Sequence, residues 1–438
     1  MKTIANIPNN GKKRLVIVGG GFAGLKLAQS LTKSDFQIVL MDKHNYHQFQ
    51  PLFYQVATSG LEPSAISFPL RKVFQEQKDV HFRIATVEYV DTTQKTIYTD
   101  LGLLAYDYLV LAMGGNTNFF GNKNIQEHAI PMKSLTEAIN LRNTVLENFE
   151  QALNEVDPEK RESLLNMVVV GGGPTGVELA GALAEMKKYI LPKDYPELDF
   201  SEMHIHLLEG TGQVLNGYSA SSSKKAKEYL ERLDVKVQLN TMVKDYDGSI
   251  VDLGEGNTLR TENLIWAAGI KANTVEGFSD DVIGRGGRMV VNEFNQLKNH
   301  PEIFVIGDMA IMQTKDYPQG HPQVAQVAIQ QAKTLKKNLR RLEAGEVLKP
   351  FKYLDKGSLA TVGRNLAVAD LPGFSFQGFF AWVLWLFVHL MAILGVRNRL
   401  VVFINWAWSY LTYDQSLRLL INPKKKKQAD ILADPLVD

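Results

Sequence analysis

The chain of 438 residues contains no cysteine. Disulfide bonds, zinc sites built from thiolates, iron–sulfur clusters held by cysteine and thiol nucleophiles are therefore all excluded. Any redox chemistry that this chain performs must use a bound cofactor instead.

Charge of one sign is not in excess either, because 48 lysines and arginines stand against 47 aspartates and glutamates. A net charge of +1 provides no field that would concentrate nucleic acid, so we expect no nucleic-acid partner. Residues 1–14 are polar and lack the apolar core of a signal peptide, which predicts that the chain stays in the compartment where it is made. A chain of this length usually forms about two to four domains.

A strand, a glycine turn and a helix follow one another near the N-terminus, at residues 14–18, 19–24 and 25–31. Gly19 permits a tight turn, Gly21 lets backbone amides approach a pyrophosphate, and Gly24 allows the helix to pack closely. A second strand, residues 37–41, ends in Asp42, which stands 18 residues after Gly24 and can accept hydrogen bonds from an adenosine ribose. The joint pattern predicts a dinucleotide-binding unit of the Rossmann type, although the glycines alone would only indicate a turn.

The same order returns further along the chain, with a strand at 167–170, a turn at 171–176 and a helix at 177–188. Three glycines repeat the spacing of the first turn: Gly171, Gly173 and Gly176. The matching acid is Glu209, which follows a strand at 204–208 and stands 33 residues after Gly176. We attribute the extra length to an insertion at 191–196. Glu209 would repel a 2′-phosphate and no arginine follows it, which favours NAD(H) over NADP(H), whereas a plain surface glutamate is the alternative.

Two dinucleotide sites in one chain suit one cofactor that is held permanently and a second that brings electrons as hydride. A flavin and a nicotinamide fit that division. Between the two units we predict a helix at 134–151 and a charged surface loop at 157–161.

The composition changes towards the C-terminus, where four of the five tryptophans fall between 374 and 413. Residues 378–396 carry no charge over 19 positions, close to the length of a transmembrane helix, but His389 lies in their middle. The next segment, 400–421, mixes aromatic and charged residues. Seven basic residues and one acidic residue between 397 and 427 give a local net charge of +6, which suits anionic lipid headgroups. We predict a segment that lies on the membrane, with a span or a hydrophobic dimer interface as alternatives.

Several longer motifs make the sequence resemble the type II NADH dehydrogenases, the single-chain NADH:quinone oxidoreductases among the flavoproteins with two dinucleotide-binding domains. The resemblance covers nearly the whole chain and is most specific at residues 47–57, 173–178 and 325–330 and in the aromatic tail with Arg397-Asn398-Arg399. It implies an α/β fold with two Rossmann-like dinucleotide-binding domains and a C-terminal helical membrane-anchoring segment. The implied division is an FAD-binding domain at 1–120 and 271–370, the latter with the quinone site, an NADH-binding domain at 121–270 and an anchor at 371–438.

For the flavin, the resemblance implies non-covalent FAD and two further binding stretches, at 109–115 and 305–308. Besides the first glycine turn and Asp42, it assigns these residues to the cofactor: Ala112, Gly114, Gly307, Asp308 and Val327. Asp308 would bind the ribityl or pyrophosphate part, although a plain turn residue after a buried strand is the alternative. Met113 replaces the threonine that is usual in the family, and its apolar side chain can fill the same volume.

For NADH, the resemblance assigns the second glycine turn, Glu178, Glu209 and Gly269. Glu178, which we place on the first turn of a helix, would lie near the nicotinamide and the flavin and support hydride transfer. An acid at that position also stabilises a helix dipole, so a structural role is the alternative.

For the quinone, the resemblance assigns Gln326, Ile329, Gln330 and Lys356. Gln326 and Gln330 are four residues apart and share a helical face, from which an amide could donate to a quinone carbonyl. Alternatively, either amide caps local backbone or faces water. Lys356 could stabilise anionic reduced flavin or quinol, or it could be an exposed loop lysine. Glu178, Gln326 and Lys356 are thus the candidate catalytic residues.

The function implied by the resemblance is FAD-dependent oxidation of NADH with two-electron reduction of a membrane quinone, on the cytoplasmic face of a bacterial cell membrane. No part of the sequence resembles a transmembrane proton relay, so we expect no proton pumping. A soluble NADH-dependent reductase of a small electron-transfer protein and a non-enzymatic, membrane-bound nucleotide sensor or scaffold are the alternatives. A homodimer is compatible with membrane binding. Sulfide:quinone oxidoreductases and disulfide reductases share the fold but use cysteines, which this chain lacks.

Overall fold

A computed structural model describes residues 2–413 and 417–420. The strands are, in chain order, β1 (Lys13–Val18), β2 (Phe36–Asp42), β3 (Tyr46–Gln48), β4 (Ser67–Pro69), β5 (Val80–Ile84), β6 (Val87–Asp91), β7 (Thr96–Thr99), β8 (Gly102–Ala105), β9 (Tyr108–Leu111), β10 (Gly115–Thr117), β11 (Ile130–Pro131), β12 (Met167–Val170), β13 (Ile205–Leu208), β14 (Val235–Gln238), β15 (Asp245–Tyr246), β16 (Ile250–Gly254), β17 (Asn257–Arg260), β18 (Asn263–Trp266), β19 (Ile270–Ala272), β20 (Met289–Val290), β21 (Gln296–Leu297), β22 (His300–Val305), β23 (Ala310–Ile311), β24 (Ser358–Gly363), β25 (Leu366–Leu371) and β26 (Phe374–Gln377).

The helices are α1 (Phe22–Leu31), α2 (Phe53–Ala57), α3 (Leu70–Val73), α4 (Lys123–His128), α5 (Leu135–Ala152), α6 (Pro158–Leu165), α7 (Pro174–Tyr189), α8 (Leu191–Asp194), α9 (Ala220–Arg232), α10 (Ala325–Glu343), α11 (Phe379–Ala392) and α12 (Val396–Thr412). Short 3-10 helices lie at Gln50–Leu52, Pro63–Ala65, Asp280–Val282, Arg285–Gly287 and Gly307–Met309.

The first large sheet has six strands in the order β21-β22-β9-β1-β2-β5, and all neighbours except β21 and β22 run parallel. Leu15, Val16 and Ile17 of the central strand β1 are fully buried, as is typical of a parallel strand covered on both faces. The chain continues from β1 to β2 on one side and returns to β9 on the other. Ligands bind in open parallel sheets at such a reversal of strand order, beyond the carboxyl ends of the strands.

The second large sheet repeats this arrangement with five parallel strands in the order β11-β18-β12-β13-β14. In this sheet β12 takes the central position that β1 has in the first sheet, and β18 lies beside it as β9 lies beside β1. The predicted helix at 134–151 is confirmed as α5. The hydroxyl of Ser134 accepts the amide of Glu137 at 3.2 Å and the Glu137 carboxylate accepts the amide of Ser134 at 2.8 Å, so a capping box starts the helix.

One local prediction is wrong, and a second is right only in part. Residues 157–161 are not a charged loop, because Asp157 caps α6 by accepting the amide of Glu159 at 3.0 Å, and Pro158 suits the first helical position, where no amide donor is needed. The extra length before Glu209 is not confined to an insertion after the helix. The helix α7 itself has 16 residues against 10 in α1, and the short helix α8 follows it.

The C-terminal part of the chain starts with the antiparallel sheet β24-β25-β26, which packs on α7 and α9, and continues into α11 and α12. These two helices have 14 and 17 residues, and they are separated by a short break that ends at Gly395, whose φ is 85°. Within residues 2–413 and 417–420, no helix combines the length and the apolar character that crossing a membrane requires. Part of the predicted basic stretch, including the four lysines at 424–427, lies outside the described residues.

Candidate active site

The first glycine turn follows β1 and touches the end of β9. A Cβ at Gly19 would collide with the carbonyl oxygen of Ala112, and a Cβ at Gly24 would collide with that of Gly19, so both positions require glycine. Gly21 instead faces open space, since no atom lies within 4 Å of where its Cβ would stand. Asp42, the last residue of β2, accepts a backbone amide of the turn through Oδ2 at 2.6 Å. The four predicted residues of this unit therefore lie together.

The second glycine turn has the same geometry after β12. A Cβ at Gly171 would stand 2.8 Å from the carbonyl oxygen of Ala267, and a Cβ at Gly176 would collide with the carbonyl oxygen of Gly171. Gly173 faces open space. Glu209 directly follows β13 and accepts a backbone amide of the turn through Oε2 at 2.6 Å, the same distance as for Asp42. The longer connection thus ends with its acid at the equivalent place.

Both turns lead into helices whose N-termini carry no side-chain cap. Gly21 is the N-cap of α1 and Gly173 that of α7, and neither helix has an acid in its first turn. Free amide groups at a helix N-terminus, together with the helix dipole, favour an anionic ligand such as a pyrophosphate. The residues present therefore fit a dinucleotide at each turn.

Two further predicted glycines lie where the chain crosses between the sheets. Gly114 follows β9 with a φ of 69°, and Gly269 follows β18 with a φ of 78°. Both conformations favour glycine over other residues. The strands β10 and β19, which begin just after these glycines, pair antiparallel and tie the two sheets together.

A third loop, after β22, carries the predicted residues Gly307 and Asp308. Gly307 has a φ of 74° and donates its amide to Oε1 of Gln331 at 2.7 Å. Oδ2 of Asp308 lies 3.8 Å from Nζ of Lys133, at the start of the second unit. Neither Gln331 nor Lys133 is among the predicted site residues. For Gln331 a signal existed, because it lies four residues after Val327 and so shares the buried face of α10.

Glu178 lies deeper than predicted. It is the fifth residue of α7, so its placement in the first helical turn is wrong. Its side chain is 7% exposed, and Oε1 accepts the indole N–H of Trp385 at 3.1 Å and the amide of Thr361 at 3.4 Å. Burial raises the pKa of this carboxyl to about 8, against the opposing effect of the two hydrogen bonds. Near neutral pH the group is mostly protonated and can exchange a proton with a nearby ligand.

The two predicted glutamines of α10 both bind the segment before β24. Nε2 of Gln326 donates to the carbonyl of Gly357 at 2.8 Å, and Oε1 accepts the amide of Lys356 at 3.3 Å. Gln330 makes the equivalent pair of bonds to the backbone of Leu354, at 2.9 and 3.0 Å. Both amides therefore bind backbone, but this backbone lies 24 to 31 positions further along the chain and is not the local backbone of the alternative interpretation. The bonds fix the segment that carries Lys356.

The other residues predicted on this helix differ in exposure. Val327 is buried in the first turn of α10, Ile329 is half-buried, and the side chain of Lys356 beside them is exposed. No described side chain caps α10, whose N-terminus faces the loop of Gly307. The helix thus brings a third set of N-terminal amides to the first dinucleotide unit.

Two tryptophans of the tail form hydrogen bonds with the body of the protein. Besides the bond of Trp385 to Glu178, Nε1 of Trp406 donates to Oε1 of Gln55 at 2.7 Å. A cavity of about 110 Å³ lies between these contacts. Glu185 also lines it, and burial raises the pKa of that carboxyl, which accepts the amide of Arg364 at 2.6 Å. Gln55 and Glu185 are not among the predicted site residues.

The opposite faces of α11 and α12 are apolar and exposed. Their exposed residues include Phe380, Phe387, Leu400, Phe403, Ile404, Trp408 and Leu411. On the docked side, the amide of Asn398 donates to two backbone carbonyls of the body, and the Arg364 guanidinium lies 3.4 Å from the centroid of the Tyr413 ring. The helices are therefore fixed on one side and leave a large apolar patch on the other, which is a mark of an interaction surface.

Comparison with known proteins agrees with this geometry. Residues 13–332 match the family described as pyridine nucleotide-disulphide oxidoreductase, and residues 356–413 match the NDH2 C-terminal domain. Type II NADH:quinone oxidoreductase Ndh of Mycobacterium tuberculosis is 36% identical over 92% of this chain and 89% of its own length, and the enzyme of the same type from Haemophilus influenzae is 29% identical over 82% and 87%.

Solved structures share the fold. NDH2 from Plasmodium falciparum, in complex with NADH, matches with a TM-score of 0.85 at 22% identity, over 94% of this chain and all of its own. The sulfide:quinone oxidoreductase of Aquifex aeolicus matches with a TM-score of 0.72 at 19% identity, over 94% and 96%. Together with the sequence matches, these findings show that the chain belongs to the pyridine nucleotide-disulphide oxidoreductase family and, within it, to the type II NADH:quinone oxidoreductases.

Proposed function

We propose that this chain oxidises NADH and reduces a membrane quinone by two electrons, with non-covalently bound FAD between the two substrates. The observation that carries the proposal is the hydrogen bond from Trp385 of the tail to Glu178 of the second dinucleotide-binding unit. Because of this contact, the apolar tail surface lies beside the helix that follows the second glycine turn. An acceptor dissolved in lipid can therefore approach the protein on the side where α11 docks against α7.

The first unit fits FAD. Gly21 opens to free space at an uncapped helix N-terminus, which suits the pyrophosphate, and Asp42 can bind the adenosine ribose. When bound, FAD accepts a hydride and passes the electrons on. The residues that would hold it are Gly19, Gly21, Gly24, Asp42, Ala112, Gly114, Gly307, Asp308 and Val327.

The second unit suits NADH. The amides that follow Gly173 would bind its pyrophosphate, and Glu209 would accept hydrogen bonds from the adenosine ribose and repel a 2′-phosphate. Gly171 and Gly176 keep the turn tight, and Gly269, with its positive φ, shapes the loop after β18 beside the nicotinamide end. The names of the relatives from Mycobacterium tuberculosis and Haemophilus influenzae support this substrate.

On the acceptor side, the roles follow from the contacts of Gln326 and Glu178. Gln326 uses one amide hydrogen for Gly357 and retains a second, which can donate to a quinone carbonyl. It also positions Lys356, whose ammonium can stabilise negative charge that develops on the quinone oxygen. Glu178 holds a proton near neutral pH and can supply it to the reduced acceptor. Ile329 and Gln330 would complete the quinone site.

The apolar face of α11 and α12 would bind the cytoplasmic face of a bacterial cell membrane without spanning it. Exposed phenylalanines and Trp408 suit the lipid interface, and the basic residues after Arg397 suit anionic headgroups. Electron transfer from NADH to quinone on one side of the membrane moves no proton across it. We therefore propose an enzyme that does not pump protons.

The proposed division of the chain assigns 1–120 and 271–370 to FAD and the quinone, 121–270 to NADH and 371–438 to membrane binding. The strands of the first large sheet come from the first two of these segments, and those of the second sheet from the third. This distribution supports the division.

The test is anaerobic addition of NADH to the purified yellow protein, followed by a water-soluble quinone. We expect NADH to bleach the flavin absorbance and the quinone to restore it. A flavin that NADH bleaches but that only a small electron-transfer protein reoxidises would favour a soluble reductase. A protein without bound flavin, or one whose flavin NADH leaves oxidised, would refute the proposal.

A further inference from the structure

Phe120 is an exposed aromatic residue outside the tail. Its side chain is 68% exposed, and the other strongly exposed phenylalanines of the described residues all lie between 374 and 403. The backbone of Phe120 also adopts a φ of 52°, a conformation that is rare for a bulky side chain. Exposure to water and backbone strain both disfavour a phenylalanine at this position, so the stability of the fold does not explain why one is there.

The strained conformation is held by hydrogen bonds of Phe120 itself and of Asn118, two residues before it. The amide of Phe120 donates to Oδ1 of Asn118 at 2.9 Å. The amide of Asn118 in turn donates to the carbonyl of Gly269 at 3.3 Å, and its carbonyl accepts the indole N–H of Trp266 at 2.9 Å. Strain that the surroundings fix in this way is typical of residues at functional sites.

The ring of Phe120 lies against Gly269. A Cβ at Gly269 would stand 2.6 Å from Cζ of Phe120, so the glycine allows the ring to approach the backbone closely. This backbone belongs to the loop after β18, and the same loop touches the second glycine turn, because Ala267 lies against Gly171. The exposed ring is therefore next to the proposed NADH site.

The order of strands decides which half of the dinucleotide reaches this ring. Glu209, which suits the adenosine ribose, follows β13 on one side of β12, whereas Gly269 follows β18 on the other side. A dinucleotide with its pyrophosphate at the turn after β12 therefore extends its nicotinamide half towards β18.

We propose that Phe120 forms one wall of the NADH site and packs its ring against the nicotinamide half of the bound dinucleotide. The inference rests on the proposed function, since it takes NADH as the ligand of the second unit. An aromatic wall favours the planar nicotinamide through offset or edge contacts and excludes water from the face that it covers. Phe120 is thus a positioning residue for NADH.

The test compares three variants of the flavin-loaded protein by stopped-flow. Phe120→Ala and Phe120→Gly remove the ring, whereas Phe120→Tyr keeps it. We expect the NADH concentration that half-saturates flavin bleaching to rise by about three- to tenfold in the first two variants, the range of an aromatic contact, and to change by less than about twofold in the third. Reoxidation of dithionite-reduced flavin by quinone is expected to stay unchanged in all three.

Phe120→Gly separates binding from a purely structural role. Glycine adopts positive φ without strain, so we expect its thermal midpoint to equal or exceed that of the wild type while its affinity for NADH falls. Normal NADH affinity in both Phe120→Ala and Phe120→Gly would overturn the inference and leave the proposed function intact. An equal loss in the NADH and quinone half-reactions would also overturn it. A wild type whose flavin NADH does not bleach would refute the inference and the proposed function together.

Discussion

Replacing Glu178 by glutamine should change how the stability of this protein depends on pH. Burial raises the pKa of Glu178 from 4.5 to about 8, so between these values the folded protein retains a proton that the unfolded chain has released. A folded state that binds more protons loses stability as the pH rises. Each pH unit costs about 1.4 kcal/mol per retained proton, which sets a ceiling of about 5 kcal/mol across the interval. Above pH 8 the penalty is complete and constant.

Glutamine has the same shape as the protonated carboxyl and carries no charge at any of these pH values. Its side-chain oxygen can still accept the indole N–H of Trp385. We therefore expect Glu178→Gln to be about as stable as the wild type near pH 5 and more stable at pH 8, with the difference growing steadily between them. Some decline with pH should persist in the variant, because burial also raises the pKa of Glu185.

The assay is denaturant unfolding of the flavin-loaded protein at pH 5, 6, 7, 8 and 9, followed by flavin fluorescence. The matched control is Glu197→Gln, which changes an exposed glutamate. Its curve should run parallel to that of the wild type. Parallel curves for Glu178→Gln and the wild type would refute the reasoning, because they would mean that Glu178 is ionised in the folded protein. A variant that is less stable at pH 8 would contradict it as well.

Three further predictions concern the two substrates and the membrane. The wild type should use NADH at least about tenfold more efficiently than NADPH, measured as kcat/KM. Glu209→Gln should reduce this ratio, because it weakens the repulsion of the 2′-phosphate. Equal efficiencies in the wild type would show that Glu209 does not lie at the adenosine ribose. Gln326→Ala should leave bleaching of the flavin by NADH unchanged and lower the rate of reoxidation by quinone by about tenfold or more, and an equal loss in both steps would exclude Gln326 from the quinone site. The double variant Phe387→Asp with Phe403→Asp should move the protein from the membrane fraction to the supernatant at moderate salt, whereas high salt should release the wild type only partly and detergent fully. Complete release of the wild type by salt alone would assign the apolar face to a dimer interface.

Placing charges on the exposed faces of the tail helices tests membrane binding more directly than deleting the tail does. Deleting residues 374–438 would also remove Trp385 and Trp406, which bind Glu178 and Gln55. The carboxyl of Glu178 would then meet water, and its pKa would fall towards the ordinary value. A truncated protein would therefore lose the environment of its site together with its apolar surface.

The amino-acid sequence by itself determined the two dinucleotide-binding units. Gly19 and Gly171 are needed for turns that only glycine can form. Asp42 is the last residue of β2, and Glu209 directly follows β13. Such features depend on short-range sterics and on residues close together in the chain, so a pattern of spacing reveals them. Although Glu209 comes later in the chain than the spacing of the first unit would place it, the second unit could still be predicted. A longer connection leaves the strand register unchanged.

The tertiary structure alone decided the environment of the candidate site. The bond from Trp385 to Glu178 joins residues 207 positions apart, and the bond from Trp406 to Gln55 joins residues 351 positions apart. Helical spacing placed Gln326 on the right face of α10, but only the packing of the segment before β24 assigned its amide to Gly357 and Lys356. Burial, and with it the raised pKa of Glu178, arises from the joint packing of α7, β24 and α11. No local pattern encodes it, because desolvation depends on which distant segments exclude water from the same carboxyl group.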